Sequence, residues 1–171
     1  MPALDFRFKV DAAGPIEYLS RLLPSRTGPA IKKGAGTAAF RIQQMMREEL
    51  ERLVYSTPES PTYQRTRTLW RATYAARPGG DHSRDHDAAF AGHDLAVTEP
   101  VAGGVVVLRG YEAEIDIGSW ADWAYYVHEG LGGNATRGPR PFTAVPLAAA
   151  PAITTEEISR ALAVALAGSV R

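Results

Sequence analysis

From Thr37 to Val54 apolar side chains return every three or four residues, and no other stretch limits the fold so tightly. Ala39, Ile42, Met45, Met46, Leu50, Leu53 and Val54 fall on one side of a helix. Arg41, Gln44, Arg47, Glu48, Glu51 and Arg52 fall on the other. That period marks an amphipathic helix with one face in a core and one in water. Glu48 and Arg52 stand at i,i+4 with the acid first, a pairing worth about 0.2–0.5 kcal/mol. The single apolar face has to be covered by another layer of structure.

The other segments suggest a sheet for that layer. Leu4, Phe6, Phe8 and Val10 alternate with Asp5, Arg7 and Lys9, the period of a half-buried strand. Ile16 to Leu23 reads as a short helix ended by Pro24, and Gly34-Ala35-Gly36-Thr37 as a flexible entry to the long helix. Leu95 to Val97 and Val101 to Leu108 read as strands parted by a turn at Glu99-Pro100, with Gly103-Gly104 as a bulge. Arg109-Gly110 fits a hairpin turn, and Tyr111 to Ile117 is the most regular alternation in the chain. Ser119 is placed to cap an aromatic helix containing Trp120, Trp123, Tyr125 and Tyr126. Thr154-Thr155-Glu156-Glu157 resembles the opening of a last helix, striped by Ile158, Leu162, Ala165 and Leu166. The expected fold is therefore α+β: an antiparallel sheet of about four strands packed with a long amphipathic helix and a C-terminal helix. The length of 171 residues suits a single domain, 1–171, with residues 77–93 as an exposed loop insertion.

Composition removes several function classes. Nineteen basic residues balance nineteen acidic ones, so no global field draws the chain to nucleic acid or membrane. The absence of cysteine excludes disulfides, thiolate metal sites and cysteine nucleophiles. No apolar run reaches the roughly 20 residues needed to span a bilayer. The charged, alternating start is unlike a signal peptide, and a soluble cytoplasmic product is expected.

Four local patterns invite a chemical reading. Asp81, His82, Asp85, His86, Asp87, His93 and Asp94 crowd together, but the Gly79-Gly80 pair and low apolar content make a solvated polar loop, not a metal site. Lys32-Lys33-Gly34-Ala35-Gly36-Thr37 has glycines before a helix, yet no strand precedes it and its lysines come first, so the phosphate-loop templates fail. His128-Glu129 could do acid–base work, but no nucleophile pairs with it in sequence, and Ser119 does not sit in a nucleophile turn. Arg65, Arg67, Arg71 and Arg77 alternate with Tyr63, Trp70 and Tyr74, a mixture that suits base stacking or a protein hot spot. Overall neutrality favours the protein interface. No catalytic residue, cofactor or metal is expected.

Three segments also share an order with a known family. Tyr63-x-Arg65-Thr66-x-x-Leu69 resembles a Y-x-R-T-G-x-L motif. Ala124-Tyr125-Tyr126-Val127-x-Glu129-Gly130 resembles Y-A-x-Y-V-E-x-G, and Arg140-Pro141-Phe142, with Pro146 after it, resembles R-P-F-L-x-P-A. These are motifs of the tailed-bacteriophage neck and tail-completion family, which includes proteins called minor tail protein Z and tail terminators. The resemblance runs from about residue 30 to 168, with the long amphipathic helix ahead of all three motifs. The departures are specific. Arg67 stands where the motif carries glycine, Ala72 or Thr73 replaces a serine, His128 separates Val127 from Glu129, and the insertion at 77–93 is long.

The resemblance implies a structural virion protein at the head–tail junction, located at the neck or tail end and assembled in the host cytoplasm. It implies a homo-oligomeric ring, six-fold by that likeness, that caps the tail tube protein and docks onto a head-closure or connector protein. Such a subunit needs two different faces related by a closing rotation. The interface candidates are Tyr63, Arg65, Thr66, Leu69, Trp70, Tyr126, Val127, Glu129, Gly130, Arg140, Pro141 and Phe142. No membrane partner is expected; direct DNA contact is left open but is not predicted. A minor capsid or adaptor protein of the same particle is the alternative, and a nucleic-acid-binding module using the Arg65–Arg77 loop is the alternative of another class.

Overall fold

Pro24 to Leu53 forms one 30-residue helix, α1, which starts well ahead of the amphipathic repeat. Pro24 suits the first turn, where its missing N–H would have had no intrahelical partner. The Gly34-Ala35-Gly36-Thr37 patch, expected as a flexible entry, is instead helix interior. The reason is tertiary. A Cβ on Gly34 would lie 2.6 Å from Ile158 Cα and 2.7 Å from the Glu157 carbonyl oxygen, so only glycine permits this crossing. The partner is α4, Ala144–Ala167, 24 residues long. Between them come α2 (Thr68–Arg71) and α3 (Ala124–Glu129). The computed structural model describes residues 4–11, 24–56, 67–75, 106–109, 112–119, 121, 123–131 and 137–167.

Thr154 and Thr155 do not open a helix, as their sequence suggested. They lie inside α4, and their hydroxyls donate back to the carbonyls of Ala150 at 2.8 Å and Pro151 at 2.9 Å. Threonine can cap or bond back one turn, and here the backbone in front of it is already helical.

The core is built by α1 and α4. Ile42, Met46 and Leu50 of α1 are fully buried, and Ala150, Ile153, Ile158 and Leu162 of α4 belong to the same core cluster. Leu69, Val127 and Phe142 join the same cluster from α2, α3 and the turn before α4. Ala35, Ala38 and Ala39 let the two long helices approach. No helix among the described residues is long and apolar enough to cross a membrane.

Four strands are described through their backbone: β1 (Leu4–Asp11), β2 (Thr73–Ala75), β3 (Val106–Arg109) and β4 (Glu112–Ser119). All of β1 pairs antiparallel with β4, from Leu4 opposite Ser119 to Asp11 opposite Glu112. β3 and β2 pair with the two ends of β4 on its other edge. Arg109 stands opposite Glu112, so the chain reverses at the expected hairpin.

The expected α+β class nevertheless has to be corrected. The part of the chain whose side chains are placed is 78% helix and 4% strand, a mainly helical body. The alternating strand patterns are local and real, but the long helix takes its chief cover from another helix. A stripe of alanines and one glycine, which carries little hydrophobic signal, makes that helix–helix contact possible. The expected short helix at Ile16–Leu23, the strand at Leu95–Val97 and the insertion at 77–93 lie outside the described residues.

Candidate functional site

Two of the three family-like segments meet. α3 ends at Gly130, which has φ 68 and ψ 38, and Leu131 N–H donates back to the Tyr126 carbonyl at 2.9 Å. This is a left-handed helix stop of the kind glycine favours. A Cβ on Gly130 would lie 2.4 Å from both Gly138 C and Pro139 N, so the returning loop passes directly over it. Arg140 N–H then donates to the His128 carbonyl at 3.1 Å, which ties the Arg140-Pro141-Phe142 segment to the end of α3.

His128 is the hub of this junction, although it fills only an unspecified position of the second motif. Its Nδ1 lies 2.8 Å from Glu129 Oε1 and its Nε2 lies 2.8 Å from Thr143 Oγ1. Its ring meets Phe142 edge-on, with centroids 5.5 Å apart. Thr143 O in turn accepts the first α4 hydrogen bond, from Leu147 N–H at 2.9 Å. Carboxylate, imidazole and hydroxyl are thus in line, as in a nucleophile relay. Thr143 is only 1% exposed, however, so no substrate can reach its hydroxyl. The arrangement is a latch between α3 and α4.

The third segment is held by buried polar groups of α1. Arg67, the residue before α2, has φ 55 and ψ 14, and it is the single non-glycine residue with positive φ among the described residues. Its guanidinium reaches Glu51 at 3.2 Å. Gln43 donates to the Thr73 carbonyl at 2.8 Å, and Arg47 Nε donates to Thr73 Oγ1 at 3.1 Å. The Arg47 guanidinium lies 4.0 Å over the Trp70 ring, and Trp70 N–H donates to the Tyr55 hydroxyl. Arg47, assigned from periodicity to the solvent face, is 4% exposed. Arg52 is paired with Glu49 at 2.6 Å, not with Glu48 as its spacing suggested. Ser119 also departs from expectation: its hydroxyl accepts from Ala121 N–H at 3.2 Å in a local turn, and Trp123 stands at the head of α3 without a side-chain cap.

Tyr63, Arg65 and Thr66 lie outside the described residues, as do the histidines of the polar loop. Leu69, Val127, Arg140 and Phe142 are buried within the protomer. Trp70, Tyr126 and Gly130 are half-buried, and Glu129 and Pro141 are exposed. The Glu129 carboxylate is engaged with His128. Sequence reasoning missed Gln43, Arg47, Tyr55, Thr73 and Thr143. Only Tyr55 carried a signal, as an aromatic directly after an amphipathic helix. Leu131 and Val145, 45% and 47% exposed, are the large apolar side chains this junction shows to solvent.

Among the described residues no group of three or more His, Asp or Glu could hold a metal ion. Compared with known proteins, the chain matches no family model, no curated protein and no solved structure.

Proposed function

We propose that this chain is a structural protein of a phage head–tail junction, a tail-completion, terminator or neck subunit. In this reading it builds a homo-oligomeric ring, six-fold by resemblance, that caps the tail tube and docks onto the head connector. The observation that carries the proposal is the backbone at Arg67. The family motif has glycine at this position, and here an arginine takes the left-handed conformation at a cost of about 1–2 kcal/mol. A turn kept against that cost is one the surrounding architecture demands. The junction of Glu129-Gly130 with Arg140-Pro141-Phe142 lends support, since two motifs distant in sequence become one structural unit.

The minor capsid or adaptor reading shares these observations. The nucleic-acid reading is weakened by two contacts: one Trp70 face is covered by Arg47, and Arg67 is committed to Glu51. No catalytic role is proposed, because the His128 relay, the one seen among the described residues, has its hydroxyl sealed in the core.

Light scattering of the purified chain, alone and with the tail tube protein, tests the proposal. The expected mass is an integral multiple of 18.5 kDa, unchanged from low to high salt. A chain that stays monomeric in both conditions overturns it. A DNA affinity that falls steeply with salt would put the nucleic-acid module in its place.

A further inference from the structure

α1 and α4 touch backbone to backbone at Gly34, and beside this crossing the first turns of α1 and the last turns of α4 line an opening. The opening between them is a groove of about 660 Å³. Its apolar lining is mostly small, Ala30, Ala161 and Ala165, with Val164 standing 68% exposed at the side.

The charges around the groove are unequal. Glu157 lines it but is taken up by Arg41 and Arg160. Arg160 is shared between Glu156 and Glu157. Arg26 and Lys33, exposed on the rim, form no ion pair among the described residues. They lie seven positions apart on one face of α1, so their separation along the axis is about 10 Å.

We propose that this groove is a docking site for an acidic amphipathic helix of a partner protein. The apolar stripe of that helix would cover Val164 and the alanine floor, and two carboxylates two turns apart would meet Arg26 and Lys33. A helix fits better than an extended strand, because the groove walls are helices whose backbone groups are already paired, and a helix satisfies its own. A second copy of this chain is a poor occupant. On its described helices Glu49, Glu51, Glu129, Glu156 and Glu157 are already paired, which leaves only Glu48. The proposal stands apart from the ring reading and survives its failure.

The probe is a fluorescein-labelled synthetic helix of about 14 residues, with a leucine stripe and glutamates at i and i+7. Its control carries lysines in place of those glutamates. In anisotropy titrations with the full chain the acidic peptide should bind about tenfold more tightly than the control, the gain of two solvent-exposed ion pairs. The double variant Arg26→Glu, Lys33→Glu should reverse that preference, and Val164→Asp should abolish binding of both. All three side chains are exposed, so circular dichroism should show unchanged folding. Equal affinity for the two peptides, no binding, or indifference to the charge reversal each overturns the proposal. So does a sedimentation mass that falls in Val164→Asp, which would give the groove to a second copy. Pelleting with phosphatidylglycerol vesicles that is lost in Lys33→Glu would give it to a membrane surface.

Discussion

Gly130 and Gly138 separate two costs that a single substitution usually mixes. Both have positive φ, 68 and 70, so an alanine at either is strained. At Gly138 a Cβ meets nothing within 4 Å, and strain of about 1–2 kcal/mol should be the whole effect. At Gly130 the same Cβ strikes backbone at 2.4 Å, which adds a displacement of the returning loop. Gly130→Ala should therefore melt several degrees below Gly138→Ala, and equal melting temperatures would show that the loop yields freely. Phe142 is the apolar counterpart. It is fully buried, and Phe142→Ala should cost about 3–5 kcal/mol in urea unfolding. The sequence made Phe142 legible because a lone aromatic follows a proline that fixes the backbone. The His128-Glu129 pair was legible too, but the second partner of His128, Thr143, was not, since that contact depends on a turn that closes across the loop between them.

At the scale of elements, the start of α1 was the main miss. Pro24, Pro29 and the Gly34-Ala35-Gly36 patch are local helix breakers, and local propensity is overridden when a glycine is what lets two helices touch. Gly34→Ala tests that account directly. It should destabilise the protein by about 1–3 kcal/mol, the usual cost of overpacking, although alanine is the better helix former. A rise in melting temperature would mean that α1 and α4 are free to slide. The ion network beside this crossing gives a pH prediction. Arg41 donates to Glu156 at 2.9 Å and holds that carboxyl below its usual range, with Arg160 adding to the pull. A folded pKa below the unfolded one means the unfolded chain binds the proton more readily, so stability falls as pH falls. The loss should begin near the ordinary carboxylate value of about 4.5 and continue through the lowered folded value. Glu156→Gln should flatten the melting curve against pH across that interval. Because the pair is half exposed, the slope should also shrink in high salt.

Taken as a whole molecule, the chain buries four of the nine described interface candidates, Leu69, Val127, Arg140 and Phe142. Leu69, Val127 and Phe142 belong to the core, so substitutions there test folding before assembly. The side chains that could serve a neighbouring subunit are those the junction leaves outside, Leu131 and Val145. Both flank the latch: Leu131 follows the Gly130 stop, and Val145 lies in the first turn of α4. If the proposed ring closes across this junction, a charge at either position should break assembly without unfolding the subunit. Leu131→Asp and Val145→Asp are each predicted to keep the parental stability within about 0.5 kcal/mol, as exposed substitutions usually do. Each should convert the light-scattering mass to a single protomer of 18.5 kDa. Phe142→Ala gives the opposite pattern, with lowered melting and loss of the ring following from it. An oligomer that survives both aspartates, with melting unchanged, would place the ring contact elsewhere on the surface. Lowered melting in either aspartate variant would instead make these exposed positions part of the fold.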